Sequence, residues 1–345
     1  MGTTEAKADT STPTFGSPTP TFCWEEVVWY NVIILGVWHV MAVYALFFVL
    51  PQASILAILT LWIALWFFSG LGITAGAHRL WAHRSYKARL PLQIFLALCN
   101  SMAFQGSIFE WARDHRVHHK GSDSTSDPHN SRRGFFFAHC GWVMVRKHPD
   151  VFKEGKKLNF EDLVKDPLVQ VQKTYYLSSV LLMCYAVPTL IGYLCFDSAW
   201  QGFWIGGIFR HVWVLHMTWC VNSVAHFFGY KPYDRNSRAV ENLFVSIGAI
   251  GEGWHNYHHR YPTDYATGEM GVTGQWNPTK GFIDLMAALG QAYDMKRSTT
   301  AAAQREKVKI AVDQEVLKGI LQPPAPLDQF TNWLFFGRAE DQSVF

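Results

Sequence analysis

The chain has 345 residues, 49% of them hydrophobic and only 17% charged, with 15 Trp, 13 Tyr and 25 Phe. So little charge is unusual for a soluble domain, and so many aromatics suit a large core or a membrane interface. A formal net charge of +3 is too small to argue for nucleic acid, and six cysteines without a CxxC pair suit buried thiols better than a disulfide framework.

The first 26 residues, rich in Thr, Pro and Ser, read as a disordered tail rather than a signal peptide. Residues 27–50 and 53–77 contain no Asp, Glu, Lys or Arg and are separated by Pro51-Gln52. Each is longer than the roughly 20 apolar residues that cross a bilayer. Directly after them stands HRLWAH, with His78 and His83. A gap of five turns about 140° on a regular helix, so this box is expected where the helix ends.

Residues 91–109 are also uncharged, but Gln93, Asn100, Ser101 and Gln105 point to an interfacial or protein-covered helix. HRVHH follows, with His115, His118 and His119 spaced i, i+3, i+4, so that all three project from one helix face. A second apolar pair covers about 174–196 and about 201–228, joined by Asp197-Ser198-Ala199-Trp200, and ends near His226. HNYHH then repeats the i, i+3, i+4 spacing with His255, His258 and His259.

Four apolar runs in two hairpins predict an all-α integral membrane protein with four transmembrane helices and a cytosolic helical cap. Every Lys and Arg except Arg210 lies outside the apolar runs and their short links. The positive-inside rule then puts both termini and the central segment in the cytosol. Arg210 is expected to be internally hydrogen-bonded. The expected organisation is a tail (1–26), a four-span domain with a histidine-box cap (27–297) and a C-terminal segment (298–345) whose 299–317 reads as a polar helix.

On this topology all nine box histidines surface on one side of the membrane. His39, His129, His139, His148, His211 and His216 stand apart and read as structural, hydrogen-bonded residues. Imidazole suits Zn, Cu, Fe and Ni, and nine ligands exceed what one ion takes, so a dinuclear centre is implied. The nitrogen-rich excess favours two redox-active irons, with zinc able to enter the same site.

At these residues the chain resembles the membrane-bound fatty acyl-CoA desaturases, the stearoyl-CoA desaturase family of animals. GITAGAHRLWAHRSY (72–86), EWARDHRVHHK (110–120), DPHNSRRGFFFAHCGW (127–142), TWCVNSVAH (218–226) and NLFVSIGAIGEGWHNYHH (242–259) carry the likeness. The resemblance implies that the nine histidines bind two irons, with Asn222 completing the shell through a water. It further implies O2-dependent insertion of a cis double bond, Δ9 by default, into a long-chain acyl-CoA in the endoplasmic reticulum membrane. No fused haem segment is recognised, so electrons are expected from cytochrome b5 and its reductase. Gln105, Trp111, Thr218 and Trp219 match residues around the acyl chain, and Trp66 and Gly70 match the tunnel's far end. Asn31, Arg113, Asp114, Arg146 and Lys147 match polar residues that hold the CoA head group; basic side chains suit its phosphates. Gly106 stands where the family usually has Asn, and Tyr30 where it usually has Arg, which puts the head-group contacts in question. Two other activities fit the histidines: a membrane di-iron hydroxylase, and a metal transporter or sensor.

Overall fold

The computed structural model describes residues 24–270, 274–298, 303–304 and 306–310. The N-terminal tail up to residue 23 and most of the segment beyond 298 therefore lie outside the described residues. Of the expected C-terminal helix, 303–304 and 306–310 are described, and they are helical.

Three helices are long and apolar enough to cross a membrane: α1 (Trp29–Gln52), α2 (Ile55–Ala82) and, later in the chain, a 21-residue helix Tyr176–Phe196. Between α1 and α2 the link is Ala53-Ser54 rather than Pro51-Gln52. Proline is tolerated in the first turn of a helical segment, here the tight turn Leu50–Gln52, and the Ser54 hydroxyl caps α2 by accepting from the Ala57 N–H at 3.1 Å.

Two helices at a right angle follow. α3 (Leu90–Ala103) ends at Phe104 in the left-handed region (φ 53°), and α4 (Ile108–Lys120) leaves at 83° to it. The new start is a capping box: the Ser107 hydroxyl accepts from the Glu110 N–H, and the Glu110 carboxylate accepts from the Ser107 N–H at 3.1 Å. Leu90, Ile94 and Leu98, spaced four apart, leave one side of α3 exposed, while Leu92, Leu96, Cys99, Asn100 and Ser101 are buried. The helix is thus covered by protein on one face, as its polar residues lead one to expect.

Short helical pieces at Pro149–Gly155, Glu161–Lys165 and Pro167–Thr174 return the chain to α5 (Tyr176–Phe196). Its partner α6 runs continuously over 199–222. Ser198 caps α6 through the Gln201 N–H at 3.2 Å, so the link is only Asp197-Ser198, shorter than the four residues expected. A Cβ on Gly192 would come within 2.5 Å of the Gly202 Cα, so two glycines let α5 and α6 cross at backbone contact.

Although α6 is long enough to span, polar Arg210, His211 and His216 make it less apolar than α1, α2 and α5. Arg210 is fully buried and its five N–H donors are all engaged. It donates to Gly206 O, Ser69 Oγ (α2), Met102 O (α3), and Cys184 O and Sγ (α5), between 2.7 and 3.3 Å. One guanidinium therefore pins four helices together through neutral acceptors.

Three further helices follow, α7 (Leu243–Gly248), α8 (His255–Arg260) and α9 (Pro278–Ala288). A two-residue antiparallel ribbon, β1 (Lys87–Ala88) with β2 (Ala292–Tyr293), is the only regular sheet among the described residues. It closes the chain's later part onto the loop after His83.

Candidate active site

The first box shows why sequence spacing misjudged its geometry. The helix does end there, but its last stretch, Gly72–Ala82, is wound as a π-helix. The His83 N–H reaches back five residues to His78 O at 3.0 Å. In this wider turn residues five apart fall on one side, so the rings of His78 and His83 meet with centroids 4.8 Å apart. Trp81, Leu80 and Tyr86 pack into the core beside it and hold the turn.

All nine box histidines converge, in two groups. His78, His83, His115, His119 and His258 form the first; His118, His226, His255 and His259 form the second. The Nε2 atoms point inward: His78 to His258 at 3.0 Å, His83 to His115 at 2.8 Å, and His258 to His119 at 2.9 Å. In the second group His226 lies 3.2 Å from His255, His255 3.0 Å from His259, and His259 3.3 Å from His118. Helix α4 serves both groups, and so does α8.

Three of the outward Nδ1 atoms lie beside carboxylates. Asp127 lies 2.9 Å from the His118 Nδ1, Glu252 3.0 Å from the His78 Nδ1, and Asp123 3.4 Å from the His226 Nδ1. This is how metal-binding imidazoles are usually oriented and made more basic. Glu252 is itself gripped by fully buried Arg79, whose Nε and Nη2 donate at 3.0 and 2.9 Å. Burial, and then the crowd of neighbouring imidazoles, holds His83, His255, His258 and His259 well below the usual histidine value. A lowered value favours the neutral imidazole, the form that offers a lone pair to a metal. Burial alone would raise Asp127, but the adjoining His118 and His129 rings keep its carboxyl below the usual range. A convergent, buried, all-imidazole donor set with carboxylates behind it fits two metal ions of the nitrogen-preferring class.

Glu252, Asp127, Asp123 and Arg79 were not singled out from sequence. The signal was faint but present: Glu252 lies within GEGWHNYHH, and both aspartates within GSDSTSDPH. Glu252→Gln is expected to lower metal affinity at the first group by about 10–100-fold. Metal content after dialysis against a graded chelator, compared with the unaltered protein, checks this.

A partly open cavity adjoins the histidines. Its wall includes His78, His115, His118, His255 and Asn222, together with Trp66, Gly70, Trp111 and Thr218. Ile73, Val214, Met217, Val221 and Ala249 make the rest mainly apolar. Asn222 closes α6 just before the chain breaks at Ser223, and that break turns His226 toward the second group. Gln105 stands beside the cavity wall, donating to Thr218 Oγ1 at 3.0 Å. Trp219 is not in that wall. It is on another side of α6, buried with Leu35 and Leu215 and edge-on to His139 and His216.

The expected head-group residues form a separate polar cluster. Lys147 pairs with Asp114, which also accepts from Arg113 at 2.9 Å, while Asn31 donates to Val143 O at 2.7 Å. Arg146 is tied to Glu26 only through its backbone N–H and leaves its side chain exposed. Gly106 adopts φ 93° and donates its N–H to the Tyr176 hydroxyl at 2.8 Å, a backbone shape that disfavours a side chain there.

The six histidines set apart as structural do not join the two groups of nine. His39, His139 and His216 hydrogen-bond one another, His148 caps a helix, and His211 stacks on Phe104. His129 sits behind His118, 3.4 Å from Asp127.

The fatty acid desaturase family matches residues 53–265 of the chain. The chain belongs to that family. It is 50% identical over 286 residues to stearoyl-CoA desaturase 5 of Bos taurus, covering 83% of this chain and 84% of the relative. An acyl-CoA desaturase of Cyprinus carpio is 53% identical over 289 residues, 81% of this chain and 86% of the relative. An acyl-CoA Delta-9 desaturase of Acheta domesticus is 49% identical over 281 residues, 81% and 78% of the two chains. The match to the desaturase family begins at the α1–α2 link and ends just past α8, so it takes in all nine box histidines and every residue named above in the cavity wall.

Proposed function

We propose that this desaturase introduces a cis double bond, at Δ9, into a saturated long-chain acyl-CoA. The observation that carries the reading is the largely apolar cavity whose wall includes histidines of both groups. A chain of methylenes offers no polar handle, so only shape can select one pair of carbons, and the wall does this by positioning. Two irons at the histidine groups would supply, together with O2 and two electrons, the oxidising power to remove hydrogen from an unactivated methylene.

The protein's own residues do the remaining work. Trp111 stacks on His115 with centroids 4.9 Å apart and forms the wall where the acyl chain passes the histidines. Gln105 and Thr218 brace one another beside that wall. Trp66 donates from Nε1 to Gly248 O at 3.2 Å and bounds the far end with Gly70. Asn31, Arg113, Asp114, Arg146 and Lys147 would receive the CoA head group at the cytosolic mouth. α1, α2, α5 and α6 are the four spans, with both termini cytosolic in the endoplasmic reticulum membrane. The organisation follows as tail (1–26), four-span domain with cap (27–297) and C-terminal segment (298–345). Cytochrome b5 and its reductase supply the electrons.

Purified protein supplied with cytochrome b5, its reductase, NADH and stearoyl-CoA should yield a monounsaturated product. Gas chromatography–mass spectrometry after double-bond derivatisation locates the bond. A hydroxylated acyl chain would overturn desaturation in favour of the hydroxylase reading, and an alkene elsewhere would overturn Δ9. Gly70 offers a finer test. Gly70 lines the cavity, and a Cβ there would lie 2.8 Å from Cδ1 of the buried core residue Ile250. Gly70→Leu is therefore expected to shift the preferred substrate to a shorter acyl chain, measured by competition between saturated acyl-CoAs of different length.

A further inference from the structure

Three histidines outside the metal groups form an unbroken string. His39 Nε2 lies 3.0 Å from His216 Nε2, His216 Nδ1 lies 2.9 Å from His139 Nε2, and His139 Nδ1 lies 2.9 Å from Ser223 Oγ. Both ends are backbone carbonyls. His39 Nδ1 meets Leu35 O at 2.6 Å, and Ser223 Oγ meets Trp219 O at 3.0 Å. A carbonyl only accepts, so both terminal contacts demand a donor from the string.

The proton count follows from the chemistry of the rings. There are five contacts, each needing one hydrogen. Three neutral imidazoles and one hydroxyl supply four. In the neutral string, one contact must therefore set lone pair against lone pair at hydrogen-bond distance. One additional proton satisfies all five. His216 then donates from both nitrogens, to His39 and to His139, while His39 donates to Leu35 O. His139 donates to Ser223, and Ser223 to Trp219 O.

We propose that His39, His216 and His139 hold one shared proton, and that the charged string is a positioning device for the metal site. Ser223 is where α6 breaks, between Asn222 in the cavity wall and His226 in the second group, and the string fastens that break to α1. The inference rests on the reading of Asn222 and His226 as metal-site residues. Burial, and after it the His216 ring, push His139 down to about 4, so a charge here needs the hydrogen-bond count to outweigh desolvation. Arg210, however, shows that this same helix bundle carries a buried cation on neutral acceptors when every donor is engaged. Other titratable or charged groups on the packed elements are Tyr30 and Tyr44 on α1, Arg210, His211 and Cys220 on α6, and Arg132, Arg133 and Cys140 on the segment that carries His139. No carboxylate acts on His139 or His216 among the described residues.

The test uses the full chain, metal-free in lipid nanodiscs, with isotope-labelled histidine followed by NMR across pH. One imidazolium equivalent is expected to persist through neutral pH and to be released at higher pH in a single step spread over the three rings. It should vanish in His216→Gln, whose amide reaches both neighbours but cannot carry the proton. Zinc binding, followed separately, should weaken at one of the two sites by about 10–100-fold in that variant. In the unaltered protein it should weaken as the string loses its proton. Three neutral rings at neutral pH would overturn the proposal, as would a variant with unaltered zinc affinity and pH dependence. Should the variant not fold, the titration of the unaltered protein decides alone. If zinc failed to bind even the unaltered protein, the metal reading would fall while the titration still judged the string.

Discussion

His258→Ala should abolish double-bond formation while the protein still inserts into membranes. The His258 Nε2 touches the Nε2 of His78 on α2 and of His119 on α4, so this one ring joins three segments of the first group. Removing it takes one of five donors from that group and leaves the His78 and His119 lone pairs facing a buried gap. His118→Ala takes a donor from the second group, while the buried Asp127 carboxylate keeps the His129 ring at 3.4 Å and the N–H groups of Asp123 and His129. Each alanine variant removes a donor ring itself and not only the carboxylate behind it, so metal loss is expected to be more severe than from Glu252→Gln. Turnover of stearoyl-CoA and metal per chain are the two measurements. Unaltered turnover in either variant would end the shared-site account.

Arg210→Met is expected to be the most destabilising single change among the packed helices α2, α3, α5 and α6. It leaves Met102 O, Cys184 O and Ser69 Oγ buried without their donor. Each such group costs about 1–3 kcal/mol when left unpaired in a protein interior, and no water is at hand in a bilayer core to take over. Arg210→Lys should recover only part of the loss, because an ammonium has three donors and none of the planar spread that reaches four helices. Thermal unfolding in detergent and the monodisperse fraction on gel filtration are the readouts. A methionine variant as stable as the unaltered protein would mean that the hydrogen bonds contribute little.

How far the sequence spoke depended on the kind of interaction involved. Long uncharged runs revealed α1, α2 and α5 because crossing a bilayer leaves a bulk compositional mark. α6 was also found, but by its hairpin partner as much as by its composition, since Arg210, His211 and His216 dilute its hydropathy. The nine histidines were legible as a set because the i, i+3, i+4 boxes survive translation into a helix. Their division into five and four was not legible. It depends on the π-wound end of α2, which no local pattern announces, and on how α4 and α8 cross. The carboxylates behind the rings were missed for a related reason: an Asp or Glu near a histidine in sequence says nothing about which nitrogen it faces. The assignment of Trp219 to the cavity wall came from likeness alone; in the fold, its position next to Thr218 turns it away from Thr218's cavity.

The sharing of α4 and α8 between the two histidine groups has a further consequence. Among the described residues no carboxylate belongs to both groups, so nothing has to bridge two ions in order to hold them at a set separation. That separation is built into the backbone, as the offset between neighbouring rungs of the same two helices. Two ions held at these groups would be spaced by the two helices and not by a ligand they share.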